Sequence, residues 1–289
     1  MRDREPTIRS RALGEGLAKA MRQAGLNGKQ VGHLLGWSSS RVSRLLSGKR
    51  GGSEVDVSAF LAVCSVKGTE RDRLLELCRE QDTSGWLEQY SRLPLHLVTY
   101  IDHEKKATKI DCFQDILVPG LLQTGHYARE VMSSINIGAN EIDDRVAARL
   151  ARQSLFSKPR PPSCTFYLHE FALRLPAGSA TVMSDQLHHL LRMAVRPTVT
   201  LRVVPASLGL HAAVSGSFVL LEFADFRPLV FLESAISGLY LEKPEETRVY
   251  KNILTALEDT ALDEEESKNL IARVAIDLNP DGGAYEWPK

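Results

Sequence analysis

The residues with the clearest chemical purpose lie between positions 29 and 50. Ser39, Ser40, Arg41 and Ser43 are small or hydrogen-bonding side chains that share the outer face of one short helix. Side chains of this kind reach base edges in a major groove, and no acidic group stands among them to repel phosphate. Lys29, Arg44, Lys49 and Arg50 flank them, where the DNA backbone would lie.

Other constellations fail on their own chemistry. Gly120-Leu-Leu-Gln-Thr-Gly125 has the spacing of a phosphate-cradling loop, but His126 stands where the lysine is required and no strand clearly precedes it. It reads as a turn opening a helix at Thr124. His103-Glu104 and His169-Glu170 start like a zinc-protease helix, yet Ala107 and Leu173 occupy the second histidine position. His188 and His189 point about 100° apart on a helix and cannot share a metal. His211 is a lone loop histidine, expected at the surface. No nucleophile elbow is present. The expectation is no catalytic residue, no metal and no cofactor. The acidic run Asp263-Glu-Glu-Glu266 reads as the favoured start of a helix, with a docking surface for a basic partner as the alternative.

The bulk sequence agrees with a nucleic-acid partner. The chain has 289 residues and no net charge, but residues 1–50 carry eleven Lys and Arg against three Asp and Glu. A basic head on an acidic body points to a polyanionic partner at the head. No run of about 18 apolar residues exists, and Met1 to Leu17 lacks the apolar stretch of a secretory signal. Cys64, Cys78, Cys112 and Cys164 lie far apart, which argues against a disulfide scaffold or zinc site. A cytoplasmic protein with reduced thiols is expected.

Five short helices must position the basic face. The first spans about Ile8 to Ala24 and ends at Gly25. Lys29 to Leu35 forms the second, Gly36-Trp37 the turn, and Ser38 caps a third helix reaching Leu46, with Gly48 as its stop. Val31, Leu34 and Leu35 are expected to pack on Val42, Leu45 and Leu46, which fixes the crossing angle. A fourth helix is expected around Val57 to Val66, and a fifth from Thr69, as its cap, to about Gln81. Asp82-Thr83-Ser84-Gly85 is the expected boundary. Further helices are expected over Trp86–Tyr90, Tyr100–Lys106, Thr124–Ser133, Glu141–Phe156, Ser184–Val195, Glu245–Ala261 and Asp263–Leu278. Strands are expected over Thr165–Leu168, Val199–Val204, Phe218–Phe223 and Leu229–Leu232. The tail from Asn279 to Lys289 is read as flexible.

Residues 11–80 resemble the repressor-type helix-turn-helix called Cro/C1-type or XRE-type, through Leu13-Gly14, Leu17, Gly25-Leu26, Val31, Leu34, Gly36, Val42-Ser43-Arg44 and Gly48-Lys49-Arg50. Trp37, where a small aliphatic residue is usual, and Ser53, near a common proline, depart from the pattern. The resemblance implies that Ser38 to Leu46 holds the recognition helix and that Gln30 clamps a phosphate. Beyond it, Asp115-Ile-Leu-Val-Pro-Gly-Leu-Leu-Gln-Thr-Gly-His-Tyr-Ala-Arg129, Leu168-His-Glu-Phe-Ala-Leu-Arg174, Gln186-Leu187, Val203-Val-Pro205 and Ser217-Phe-Val-Leu-Leu221 resemble the C-terminal domain of actinobacterial regulators called Scr1-type or WhiJ-like. Gly85-Trp86 matches a family Gly-Trp-Trp whose second Trp is Leu87 here. This second resemblance implies a toxin–antitoxin-like pair, in which the domain binds a small partner protein encoded by a neighbouring gene.

The expected architecture is therefore α+β. An all-α helix-turn-helix bundle over residues 8–81 precedes a mixed α/β regulatory or partner-binding domain over residues 84–278. The expected function is sequence-specific DNA binding as a homodimer, with two recognition helices about one helical turn apart. The alternative is a ligand-sensing repressor with a small-molecule pocket in the second domain.

Overall fold

The computed structural model describes residues 8–49, 52–79, 86–89, 95–135, 138–234 and 237–278. Arg50, the expected boundary at 82–85 and the tail at 279–289 lie outside the described residues. The chain is α+β and divides into two compact units, the first comprising the residues up to Trp86 together with Asp225–Arg227.

The first unit is a bundle of α1 (Ile8–Gln23), α2 (Gly28–Leu35), α3 (Ser39–Leu46), α4 (Glu54–Val63) and α5 (Gly68–Arg79). Leu13, Leu17, Val31, Val42, Val57, Phe60, Leu61 and Leu74 are all but fully buried and form one core. Burial of such side chains contributes roughly 1.5–3 kcal/mol each. Local chemistry sets the helix ends. Asn27 and Gln30 form a reciprocal capping box at the start of α2. Ser38 Oγ accepts from Arg41 N at 3.2 Å to cap α3.

Helix α4 starts three residues before the expected Val57, because Ser53 Oγ caps it by accepting from Asp56 N. It stops at Val63 rather than Val66. Ser65 adopts φ 57, so Val66 N turns back to Leu61 O at 2.9 Å. Helix α5 already includes Gly68, which places Thr69 inside the first turn instead of at the cap. Leu34 is the clearest departure in the bundle. It is 60% exposed, not packed on α3. Val31 and Leu35, a full turn apart, take the inner face, and Trp37 packs on the core beside them.

The second unit is built on a seven-stranded sheet of order β1-β7-β6-β5-β2-β3-β4. Its strands are β1 (Trp86–Gln89), β2 (Lys109–Gln114), β3 (Ser163–His169), β4 (Val199–Val204), β5 (Phe218–Glu222), β6 (Leu229–Glu233) and β7 (Ser237–Leu241). Strands β2, β3 and β4 run parallel. Strand β2 also pairs antiparallel with β5, which leads through β6 to β7 in the same sense. The parallel crossovers carry helices, as they must: α7 (Gly125–Ser134) and α8 (Ala139–Arg152) between β2 and β3, α9 (Glu170–Arg174) and α10 (Ala180–Ala194) between β3 and β4. Helix α6 (Leu95–Glu104) precedes β2, and α11 (Pro244–Thr260) and α12 (Glu264–Asp277) close the unit.

Residues 86–89 were expected to be helical and form an edge strand instead. A four-residue segment cannot offset the cost of helix nucleation, while the edge of β7 supplies backbone partners. Strands β2 and β7 have no counterpart among the expected strands. Asp111 inside β2 and Gly238 inside β7 are poor strand formers. Asp111 is nonetheless buried, with Lys109 Nζ 2.9 Å from its carboxylate. Helix α6 runs from Leu95 to Glu104 rather than from Tyr100 to Lys106. Helix α8 ends at Arg152, and Gln153–Ser157 tightens into a 3₁₀ turn. Helix α10 begins at Ala180 because Ser179 caps it. Asp263 and Glu266 form the capping box of α12, so the acidic run opens a helix.

Candidate nucleic-acid interface and a cavity in the second domain

Helices α2 and α3 meet through a turn that only an unusual backbone allows. Gly36 takes φ 65, a left-handed conformation costly for any side chain. From there Gly36 N bonds His33 O at 3.3 Å and Trp37 N bonds Gly32 O at 2.7 Å, which satisfies the last carbonyls of α2. The chain then enters α3 with Val42 and Leu45 buried and Leu46 partly so. The opposite face presents Ser39, Ser40 and Ser43, all exposed.

Arg41 is placed differently from its three neighbours. Its guanidinium lies 4.4 Å from the Trp37 ring centroid, and its Nη2 bonds Asp56 Oδ1 at 2.9 Å. Trp37, the departure from the usual pattern, thus serves as a platform for this cation. Asp56 thus holds one end of the Arg41 guanidinium, and Asp56 is a residue that the sequence did not single out.

The flanking groups divide similarly. Lys29, Gln30 and Lys49 are exposed. Gln30 Oε1 accepts from Asn27 N at 2.8 Å, so its first task is capping, and its amide NH₂ is the end left for a phosphate. Arg44 Nε bonds Ser40 O at 3.3 Å, which holds it along its own helix. A shallow groove between the start of α2 and α3 is floored by Val42 and Leu46 and edged by Lys29, Ser39 and Ser43.

The second unit holds a cavity of about 400 Å³ on one face of the sheet. Ile110, Cys112 and Gln114 alternate into it from β2, and Val219 and Phe231 line it from β5 and β6. Its other wall is the segment 115–123, within the distinctive motif beginning at Asp115. Two amide side chains hold this irregular wall. Gln123 Nε2 donates to Val118 O at 2.7 Å. The fully buried Gln186 donates to Leu122 O and accepts from Thr124 N, both at 2.7 Å. Thr124 then caps α7, the turn expected there.

Charge also lines the cavity, through Arg152. Glu104, 2% exposed, accepts from Arg152 Nε and Nη2 at 2.8 and 2.7 Å, and from Tyr100 OH at 2.8 Å. This bidentate pair ties α6 to α8. The histidine-glutamate pairs that mimic a metal motif have ordinary explanations. His103 Nδ1 bonds Thr99 O, Glu104 is in the ion pair, and Glu170 pairs with Arg174. His188 Nδ1 bonds Ser184 O.

His211 is not the isolated surface residue expected. It stacks on His169 at 5.5 Å and meets the Phe113 ring edge-on at 5.3 Å. Both imidazoles accept from backbone: His169 Nδ1 from Phe171 N, His211 Nδ1 from Ala213 N, each at 3.2 Å. Burial, and then the neighbouring His211, hold His169 below the usual imidazole range. In the chain segments that carry this pair, Phe171, Leu175, Leu208, Leu210 and Val214 are exposed.

A helix-turn-helix bundle with a basic outer face, followed by a mixed α/β domain, defines the class: a DNA-binding protein with a second, α/β domain. Residues 12–74 match the family described as Helix-turn-helix domain. Residues 97–273 match the family described as Domain of unknown function (DUF5753), and the chain belongs to that family. No curated protein matches it. Among the described residues no helix is long and apolar enough to cross a membrane.

Proposed function

We propose that this chain is a cytoplasmic, sequence-specific transcriptional regulator rather than an enzyme. One observation carries the reading: α3 is held on α2 by a buried seam while Ser39, Ser40 and Ser43 stand exposed on its outer face. In a major groove these three, with Arg41, would read base edges. Lys29, Gln30, Arg44, Lys49 and Arg50 would position the protein on phosphates. Two copies bound as a homodimer would meet half-sites about one helical turn apart.

The test is a DNA-binding titration with the protein's own upstream region, at two salt concentrations, against a scrambled competitor. Tight, specific binding that weakens with salt is expected. Weak binding that is equal on both DNAs would overturn the reading.

The second domain is proposed to control the first by binding a small partner protein encoded by a neighbouring gene, as in a toxin–antitoxin-like pair. The resemblance to Scr1-type, WhiJ-like domains motivates this. The exposed apolar side chains in the segments carrying His169 and His211 are of suitable character. Co-expression with the neighbouring gene product should give a stable complex that Leu210→Glu disrupts; no complex with the native chain would refute it. A second reading, control by a small molecule, is favoured by the cavity of about 400 Å³, a size typical of ligand sites.

A further inference from the structure

Two arginines one turn apart on α8 line the same cavity, and the domain treats them differently. Arg152 is neutralised by the bidentate contact with Glu104. Arg149 has one hydrogen bond among the described residues, from Nη1 to Gln123 Oε1 at 2.8 Å. None of the described ion pairs includes it. Two carboxylates line the cavity as well: Asp115 accepts from the Ser217 hydroxyl, and Glu233, exposed to water, attracts Arg149 through space without an ion-pair contact.

A largely buried cation with no carboxylate in contact is costly unless something supplies the charge. Burial pulls the Arg149 guanidinium down to about 10, with Arg152 adding to the effect and Glu233 opposing it. It is still a cation at neutral pH. The rest of the lining is mostly apolar, with Ile110, Val219 and Phe231 facing the space.

We propose that the second domain binds a small carboxylic acid with an apolar body in this cavity, its carboxylate paired with Arg149 through the nitrogens that Gln123 leaves unused. One guanidinium matches one carboxylate in charge and shape. No lysine and no further unpaired arginine lines the cavity to balance a phosphate dianion. Gln123 positions the guanidinium, since the same amide is anchored to Val118 O.

This proposal deepens the ligand-controlled reading, and its regulatory meaning rests on DNA binding, but the binding itself does not. The experiment is calorimetry on the full chain with octanoate and 3-phenylpropionate, each beside its primary amide, and with inorganic phosphate. A saturable one-to-one complex is expected for at least one carboxylate, about tenfold or more tighter than for its amide, as loss of one charge-assisted pair implies. Arg149→Gln should remove that preference, bringing the affinity for the carboxylate down to that for its amide. Val219→Trp, which fills the cavity and keeps the charge, should abolish both. Equal affinity for acid and amide, phosphate binding tighter than either carboxylate, or no binding by the native chain would overturn the proposal, and none of these depends on a variant that folds. A chain that binds a carboxylate but no DNA refutes only the regulator reading. One that binds its operator but no carboxylate refutes only this inference.

Discussion

Arg41 is held twice within its own domain, by the Trp37 ring and by the Asp56 carboxylate. Asp56 therefore competes with DNA for this cation. Asp56→Asn should tighten binding to the specific site by about 0.2–1 kcal/mol, the worth of a partly exposed ion pair; unchanged affinity would show that the pair persists on DNA. Arg41→Ala should cost about 1–3 kcal/mol on the specific site alone if the side chain reads a guanine. An equal loss on random DNA would make it a phosphate contact. Cys112 offers a second check at this scale. Burial pushes its thiol up to about 12, so no thiolate forms near neutral pH. Mass spectrometry after iodoacetamide treatment at pH 8 should find Cys112 unmodified in the folded chain and alkylated once it is denatured.

The elements depend on a few backbone positions. A Cβ on Gly14 of α1 would lie 2.3 Å from Leu46 O in α3, so the two helices approach too closely for any side chain. Gly14→Ala should destabilise the bundle by about 1–3 kcal/mol and weaken DNA binding by displacing α3. A thermal midpoint equal to that of the native protein would show that the helices separate at no cost. Ser65 carries the opposite expectation. It sits at φ 57 without being glycine, and relief of that conformation by Ser65→Gly should add up to about 1 kcal/mol in a denaturant titration. In the second unit Arg202 donates to the carbonyls of Glu258, Ala261 and Leu262 at 2.7–2.8 Å. It closes the end of α11, where a cation suits the helix dipole.

At the scale of the whole molecule, pH should act through the second unit. His169 and His189 are both held below their usual range by burial, with His211 acting on the first and Arg192 and Arg196 on the second. Their folded forms favour the neutral ring. The unfolded chain takes up protons first as pH falls below about 6.5, so this stability is fully present above that pH and is lost through the depressed folded values. Protonation would also remove the acceptor that caps α9. The melting temperature of the second unit should fall between pH 7 and 5, and less so in His169→Gln. A flat profile would mean that neither ring changes charge on unfolding.

Much of the first unit was legible from its residues because its determinants are local. Gly25 and Gly36, the Ser38 cap and the spacing of Leu13 and Leu17 act within a turn or two of the chain, so helix positions follow from neighbours. The exposed serines of α3 and the basic flanks could be read for the same reason. What the sequence could not settle depends on partners distant in the chain. Asp56 reaches Arg41 from another helix. Trp37 displaces Leu34 from the seam because Gly36 turns the chain back. The edge strand at 86–89 exists because β7 offers it an edge, and Asp111 lies in β2 because Lys109 and the paired strands on either side accommodate it. The cavity is the fullest case. Its sheet wall alternates along β2, its loop wall hangs on Gln123 and Gln186, and the unequal fates of Arg149 and Arg152 depend on Glu104, some 50 positions away. Helical periodicity and capping are short-range and survive in one dimension; charge compensation and enclosure are decided only when distant segments meet.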